Sequence, residues 1–194
     1  MNYTGEIPAK NIRFYRCDDE TVVTVLQKLS NGVESIKLRW RENEYTYVDD
    51  VLAVSQVQKA KYWHMELYKQ SDSLHKVAQM WINKNSQIGF TFQVSVLFAD
   101  DSFEEFLKIF AERIVSKSDK RVRIRTNNPD RHILLERGFD DVVRIDRIVG
   151  IDYQLQIFRL MVISVEMEES EYDENCKEWI CKMSPWVYYN NYHY

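Results

Sequence analysis

Apolar and polar positions alternate most clearly in the middle of the chain. Phe90, Phe92, Val94, Val96 and Phe98 recur at every second residue, the period of a strand. Ala99-Asp100-Asp101-Ser102 breaks that run and offers capping oxygens. Phe103, Phe106, Leu107, Phe110 and Ile114 follow at helical spacing, which predicts a helix over residues 103–116. Arg121-Val122-Arg123-Ile124-Arg125 alternates again, as a second strand. Asn127-Asn128-Pro129-Asp130 is a turn, and residues 132–137 read as a short helix stopped by Gly138. A strand, helix, strand run predicts that residues 92–98 and 121–125 are adjacent parallel strands joined by the 103–116 helix.

The N-terminal half shows the same two periods. Residues 12–16 form a short alternating strand. Asp18-Asp19-Glu20 places acids before a helix over 21–30, with Val22, Val25, Leu26 and Leu29 as its stripe and Asn31-Gly32 as its stop. Ile36, Leu38 and Trp40 alternate with Lys37, Arg39 and Arg41, then Arg41-Glu42-Asn43-Glu44 suggests a hairpin turn and Tyr45 and Tyr47 a return strand. Residues 51–60 fit strand or helix equally, and Trp63, Met65 and Leu67 make 61–69 a strand. Ser71-Asp72 precedes a helix whose Leu74, Val77, Ala78, Trp81 and Ile82 share one face. No internal repeat is visible.

After Val165 the composition changes. Seven acids lie between Glu166 and Glu178, and Cys176, Trp179, Ile180 and Met183 share a helical face. The chain finishes in an aromatic tail over 186–194. The division that follows is a domain over 1–165 and an acidic C-terminal helix with its aromatic tail over 166–194.

The block Asn127-Asn128-Pro129-Asp130-Arg131-His132-Ile133-Leu134-Leu135-Glu136-Arg137-Gly138-Phe139 resembles the last conserved block of the GNAT superfamily of N-acetyltransferases. In that family a strand, an asparagine turn, a short helix and a Gly-Phe are followed by two long antiparallel strands. The resemblance places those strands at 142–149 and 154–165. It implies an α/β fold with a mixed sheet of GNAT type, extended by a helical insertion at 71–82 and a C-terminal helix. It also implies an N-acyltransferase that moves an acyl group from acetyl-CoA or another acyl-CoA to an amine. Phe98, Ser102, Arg121, Arg123, Arg125 and Asn127 would then surround the cofactor.

Two departures bear on that activity. The family holds the coenzyme A pyrophosphate on a glycine-rich loop at a helix start, where free N–H groups face the phosphates. Here Ala99-Asp100-Asp101-Ser102-Phe103-Glu104-Glu105 has no glycine and four carboxylates, which complement a helix dipole but repel a pyrophosphate. The family's usual tyrosine general acid aligns with Leu134. The alternative is therefore a non-catalytic protein of that fold, acting as a protein- or nucleic-acid-interaction module.

Composition narrows the partners. A net charge of −4 disfavours a general nucleic-acid binder. No basic leader with an apolar run, and no stretch of apolar residues long enough to span a bilayer, is present in the sequence. Cys17, Cys176 and Cys181 have neither disulfide-framework nor metal spacing, which suggests a reducing, cytoplasmic setting and no metal.

Candidate chemistry rests on few residues. His64 and Glu66 lie two apart on one strand face and could act together as a general base, or be an inert polar face. Arg121, Arg123 and Arg125 could hold an anion or form a solvated face. The aromatic tail could contact a second copy of the chain or another protein.

Overall fold

The computed structural model describes residues 5–39, 48–66, 72–96, 101–139, 144–145, 152–153 and 156–172. Four strands, β1 (Asn11–Tyr15), β2 (Ser35–Arg39), β3 (Tyr62–Glu66) and β4 (Thr91–Val96), lie side by side in chain order and run parallel. Helix α1 (Asp19–Gln27) connects the first pair, α2 (Val48–Ala53) and α3 (Ser55–Lys59) lie between the second, and α4 (Ser73–Lys84) between the third. Helix α5 (Ser102–Ile109) then leads to β5 (Ile114–Lys117), β6 (Arg121–Arg125) and β7 (Arg131–Phe139). A short ribbon, β8 (Arg144–Ile145) with β9 (Asp152–Tyr153), precedes β10 (Gln156–Ser164). The eight-stranded sheet has the order β1-β2-β3-β4-β10-β7-β6-β5, parallel in its first half and antiparallel in its second. This is an α/β protein built on one mixed sheet.

Each parallel strand carries the same triplet of apolar, polar, apolar residues: Ile12-Arg13-Phe14, Ile36-Lys37-Leu38, Trp63-His64-Met65 and Phe92-Gln93-Val94. The register aligns the four triplets. Their outer members face the helices and join one core with Val22, Leu26, Val51, Val57, Leu74, Val77, Trp81, Phe103 and Phe106. Ile133, Leu135, Phe158, Leu160 and Val162 continue that core across the antiparallel half. Trp63 and Phe92 stack at 4.2 Å between ring centres, at the junction of β3 and β4. The aligned positions Asn11, Ser35, Tyr62 and Thr91 are 24, 27 and 29 residues apart. A structural repeat is thus present where the sequence showed none, because only the triplet recurs.

Local signals explain several ends. Asp18 caps α1, accepting from the Thr21 N–H at 2.8 Å and the Thr21 hydroxyl at 2.9 Å. Gly32 stops the following turn with φ +102°, a conformation that suits glycine. Lys76 on α4 bridges Asp49 of α2 and Asp72, each at 2.6 Å, and so ties two crossovers together.

The structure corrects four expectations. The expected neighbours, β4 within 92–98 and β6 at 121–125, are not adjacent: β10 and β7 lie between them, and β4 has β3 as its parallel partner. Residues 131–139 are a strand, in place of the short helix expected over 132–137; the turn expected at 127–130 precedes it. Both faces of β7 are buried, so its apolar run lacks alternation and mimics a helical period. The helix expected over 103–116 ends at Ile109, and Ile114 opens β5. Helix α4 is an ordinary crossover between parallel strands, not an insertion.

Other expectations fare differently. The five stripe residues of α4 are all buried. The 154–165 strand is β10, while only Arg144–Ile145 of the 142–149 strand is described. The ambiguous 51–60 stretch forms helical segments α2 and α3. The return strand at Tyr45 and Tyr47, the C-terminal helix and the aromatic tail lie outside the described residues.

Candidate functional site on the polar sheet face

The middle residue of each triplet points away from the helices. Through the register these residues form one row, Arg13, Lys37, His64, Gln93, Arg159, Glu136 and Arg121, running across seven strands. A second row, Tyr15, Arg39 and Glu66, lies beside it at the carboxyl ends of β1, β2 and β3. Over its antiparallel half the segment after β10 lays Met167 and Tyr172 against Leu134, Met161 and Ile163. Adjacent members of a row stand about 4.8 Å apart at the backbone, close enough for their side chains to interact.

The antiparallel end of this face is internally satisfied. Glu136 is fully buried, accepts from Arg121 Nε at 2.9 Å and from Arg159 Nε at 2.9 Å, and also pairs with Arg159 Nη2. Arg123 is buried and uses all five N–H groups. It donates to His132 Nδ1 at 2.8 Å, Met167 O at 2.6 Å, the Tyr172 hydroxyl at 2.9 Å, Ser164 O at 3.1 Å and Val165 O at 2.7 Å. Leu134, Ile163 and Tyr172 form a small apolar cluster around it.

The middle is buried and polar. Burial, with Lys37 and Arg13 adding to it, pushes the His64 imidazole down to about 3. Tyr62 donates to Gln93 Oε1 at 3.1 Å, and burial, reinforced by Glu66, raises its phenol well above the usual range. His64 Nδ1 and Gln93 Nε2 make no hydrogen bond to the protein.

The β1–β2 corner is the exposed end. Tyr15 is 52% exposed, and its ring lies 5.4 Å from the Arg16 guanidinium and 5.3 Å from that of Arg39. Glu66 faces Arg13 at 3.8 Å and Arg39 at 3.7 Å, distances of ion pairs that are not hydrogen bonds. Arg16 holds a left-handed backbone, φ 53°, fixed by its N–H to Arg39 O at 2.8 Å. For a residue with a long side chain that conformation is uncommon, and it sets the guanidinium beside the ring.

The residues singled out from sequence are scattered through this frame. His64 and Glu66 do share a face, but His64 is neutral and a poor proton acceptor, and Glu66 sits between two arginines. Arg121 and Arg123 face the same side as expected, yet serve Glu136 and backbone carbonyls, while Arg125 is exposed. Asn127 accepts from Arg113 at 3.1 Å. Ser102 is buried at the start of α5, and Phe98 lies outside the described residues. Asp101 makes no side-chain cap there; Glu104 faces Arg137 at 3.6 Å and Glu105 faces His75 at 3.7 Å. β10 and β7 separate β4 from β6, so the strands expected side by side around the cofactor do not meet. Among the described residues no group of histidine, cysteine and carboxylate side chains gathers to hold a metal, and no helix is long and apolar enough to cross a membrane.

No protein-family model, curated protein or solved structure matches the chain. Sequence reasoning overlooked Arg13, Tyr15, Arg16 and Arg39. The recurring triplet could have put Arg13 on the face opposite the core, but Tyr15, Arg16 and Arg39 lie outside the triplets.

Proposed function

We propose that this protein is a non-catalytic binding module that engages a protein partner with the β1–β2 corner of its polar sheet face. The observation that carries the reading is Tyr15, an exposed ring flanked by the Arg16 and Arg39 guanidiniums. Tyrosine and arginine are the residues that anchor interfaces, since both offer a large contact area with directed polar groups. A parallel sheet that advances one strand at a time, with helices on one side, leaves its strand edge row as an extended recognition surface, as in solenoid proteins. Buried, charge-satisfied chemistry elsewhere on the face supports a scaffold role for the remaining arginines and for His64.

The test is a random-peptide display selection on the immobilised protein, run beside calorimetry with acetyl-CoA. Selected peptides should lose binding to the Tyr15→Ala and Arg39→Glu variants and keep it for Arg125→Glu at the far end of the sheet. Peptides that bind all variants alike would place the partner surface elsewhere. Steady consumption of acetyl-CoA with an amine would replace this reading by that of an N-acyltransferase.

A further inference from the structure

The geometry points to a phosphorylated peptide as the partner, its phosphate held by Arg13, Arg16 and Arg39 beside Tyr15. This rests on the binding-module reading and names the chemistry that the same corner selects. Arg13 and Arg39 both face the one carboxylate, Glu66, and Arg39 and Arg16 both lie over the Tyr15 ring, so Arg39 links the three guanidiniums of the corner. Among the described residues their side-chain contacts are two long ion pairs to Glu66 and two ring contacts to Tyr15, none of them a hydrogen bond. The contrast with Arg123, whose five donors are all used, is sharp. Guanidinium forks with unused donors match the oxygens of a phosphate, which accepts several charge-assisted bonds at once.

The charge balance favours a dianion. Arg13, Arg16 and Arg39 bring three positive charges against the one negative of Glu66, with Lys37 beside Arg13 in the row, and a phosphate monoester carries about −1.5 to −2 at neutral pH. A single carboxylate would leave the corner still positive. Glu66 sits where the ligand must come: its two oxygens face Arg13 and Arg39 separately, an internal anion held loosely enough to be displaced or crowded. Tyr15, half exposed between the two guanidiniums, supplies ring surface for a neighbouring side chain of the peptide, on the edge strand of the sheet.

A nucleic acid is the less fitting source of phosphate. It needs an open track of cations; beyond Lys37 the row inward from Arg13 passes through buried His64 and Gln93, and its Arg159 and Arg121 are paired with buried Glu136. The net charge of −4 adds a long-range repulsion.

Fluorescence polarisation with the full chain tests this. The probes are a degenerate peptide pool with a central phosphoserine or phosphothreonine, the same pool unmodified, the same pool with glutamate at that position, and a single-stranded oligothymidylate. The phosphorylated pool should bind at least about tenfold more tightly than the other three, the loss expected for removing charged hydrogen bonds. Arg39→Ala and Arg39→Lys should each weaken it by about tenfold, since lysine keeps the charge but not the fork. Glu66→Gln should tighten it, because the competing anion is gone, and this gain is one that a merely damaged fold would not produce. Arg125→Ala should leave it unchanged. Equal binding of the phosphorylated and unmodified pools, still sensitive to Arg39, would overturn the phosphate assignment and keep the binding module. Tighter binding of the oligothymidylate would overturn the peptide as partner. Failure of every pool to bind would overturn the inference, and acetyl-CoA turnover in the same preparation would overturn the module reading itself.

Discussion

Arg123 donates its Nε–H to Nδ1 of His132, 2.8 Å away, on the neighbouring strand. That bond fixes the imidazole as the tautomer protonated on Nε2, because Nδ1 must offer a lone pair. Burial, helped by the charges of Arg123 and Arg125, also holds His132 below the usual histidine range. The other four donors of Arg123 grip the turn that follows β10 and the Tyr172 hydroxyl. One side chain thus joins β6, β7 and the segment leaving the sheet.

Replacing Arg123 by methionine should therefore cost about 3 kcal/mol or more, as it strands three carbonyl oxygens and a ring nitrogen in a buried place. Urea melts would measure it. A loss within about 0.5 kcal/mol, the size of an ordinary surface substitution, would mean that water takes over these bonds freely.

Stability should fall with acid through the histidines. His64 and His132 both have folded values below that of the unfolded chain. Below about 6.5, the ordinary histidine value, the unfolded state takes up protons that the folded state refuses, so unfolding is favoured as pH drops. Their contribution is complete above that value and for His64 is lost progressively down to about 3. Urea midpoints at neutral and mildly acid pH should show the decline. His64→Gln should flatten it, since a neutral amide has no proton to gain.

The Arg121–Glu136–Arg159 group has the opposite character, a carboxylate with no exposure between two guanidiniums. Glu136→Gln should cost about 3 kcal/mol, the effect of removing one partner from a buried ion group. Replacing all three by Met, Leu and Met should cost less than the single change, because the desolvated charges leave together. Chemical denaturation of both variants decides between this and a surface-like pair, for which neither change would matter.

Much of the architecture was legible in local patterns. The stripe of α4, the acids before α1 and the alternation of β1, β4 and β6 each give the right element, because each has one buried and one open or polar face. Strand β7 misled because His132, Leu134 and Glu136 on its second face are as buried as Ile133 and Leu135 on its first. Strand order was not legible, since helix α5 leads into a hairpin on the far edge and not back beside β4. The role of Arg123 was hidden for another reason: the carbonyls it holds lie more than forty positions away, at Ser164 and Val165. The β1–β2 corner needed the register, which alone puts Tyr15, Arg39 and Glu66 side by side.

The α5 face offers a direct check on packing. Phe106 has no exposure and stacks on Phe110 at 4.7 Å. Phe106→Ala should cost about 3–5 kcal/mol, from lost apolar burial and the cavity left behind. A shift below about 1 kcal/mol in denaturant melts would show that the helix can close the space.

The asparagine turn between β6 and β7 serves the end of α4. Asn85 closes that helix in a left-handed conformation, φ 51°, where asparagine is tolerated better than other residues with a Cβ. Its side-chain oxygen accepts from Asn128 at 3.1 Å. Arg131 donates to Asn85 O at 2.8 Å and Ser86 O at 2.9 Å, carbonyls at a helix C-terminus where positive charge is also favoured by the dipole. The turn and the helix end thus hold each other, joining the parallel and antiparallel halves outside the sheet itself. Arg131→Ala should cost about 1–2 kcal/mol, from the lost charged bonds and the dipole contact. Asn85→Ala should cost about 1 kcal/mol, because alanine is strained at positive φ. Asn85→Gly relieves that strain but loses the Asn128 bond, so it should fall between alanine and the parent in thermal melts. If Asn85→Gly proves no better than Asn85→Ala, the backbone conformation is not what makes this position matter.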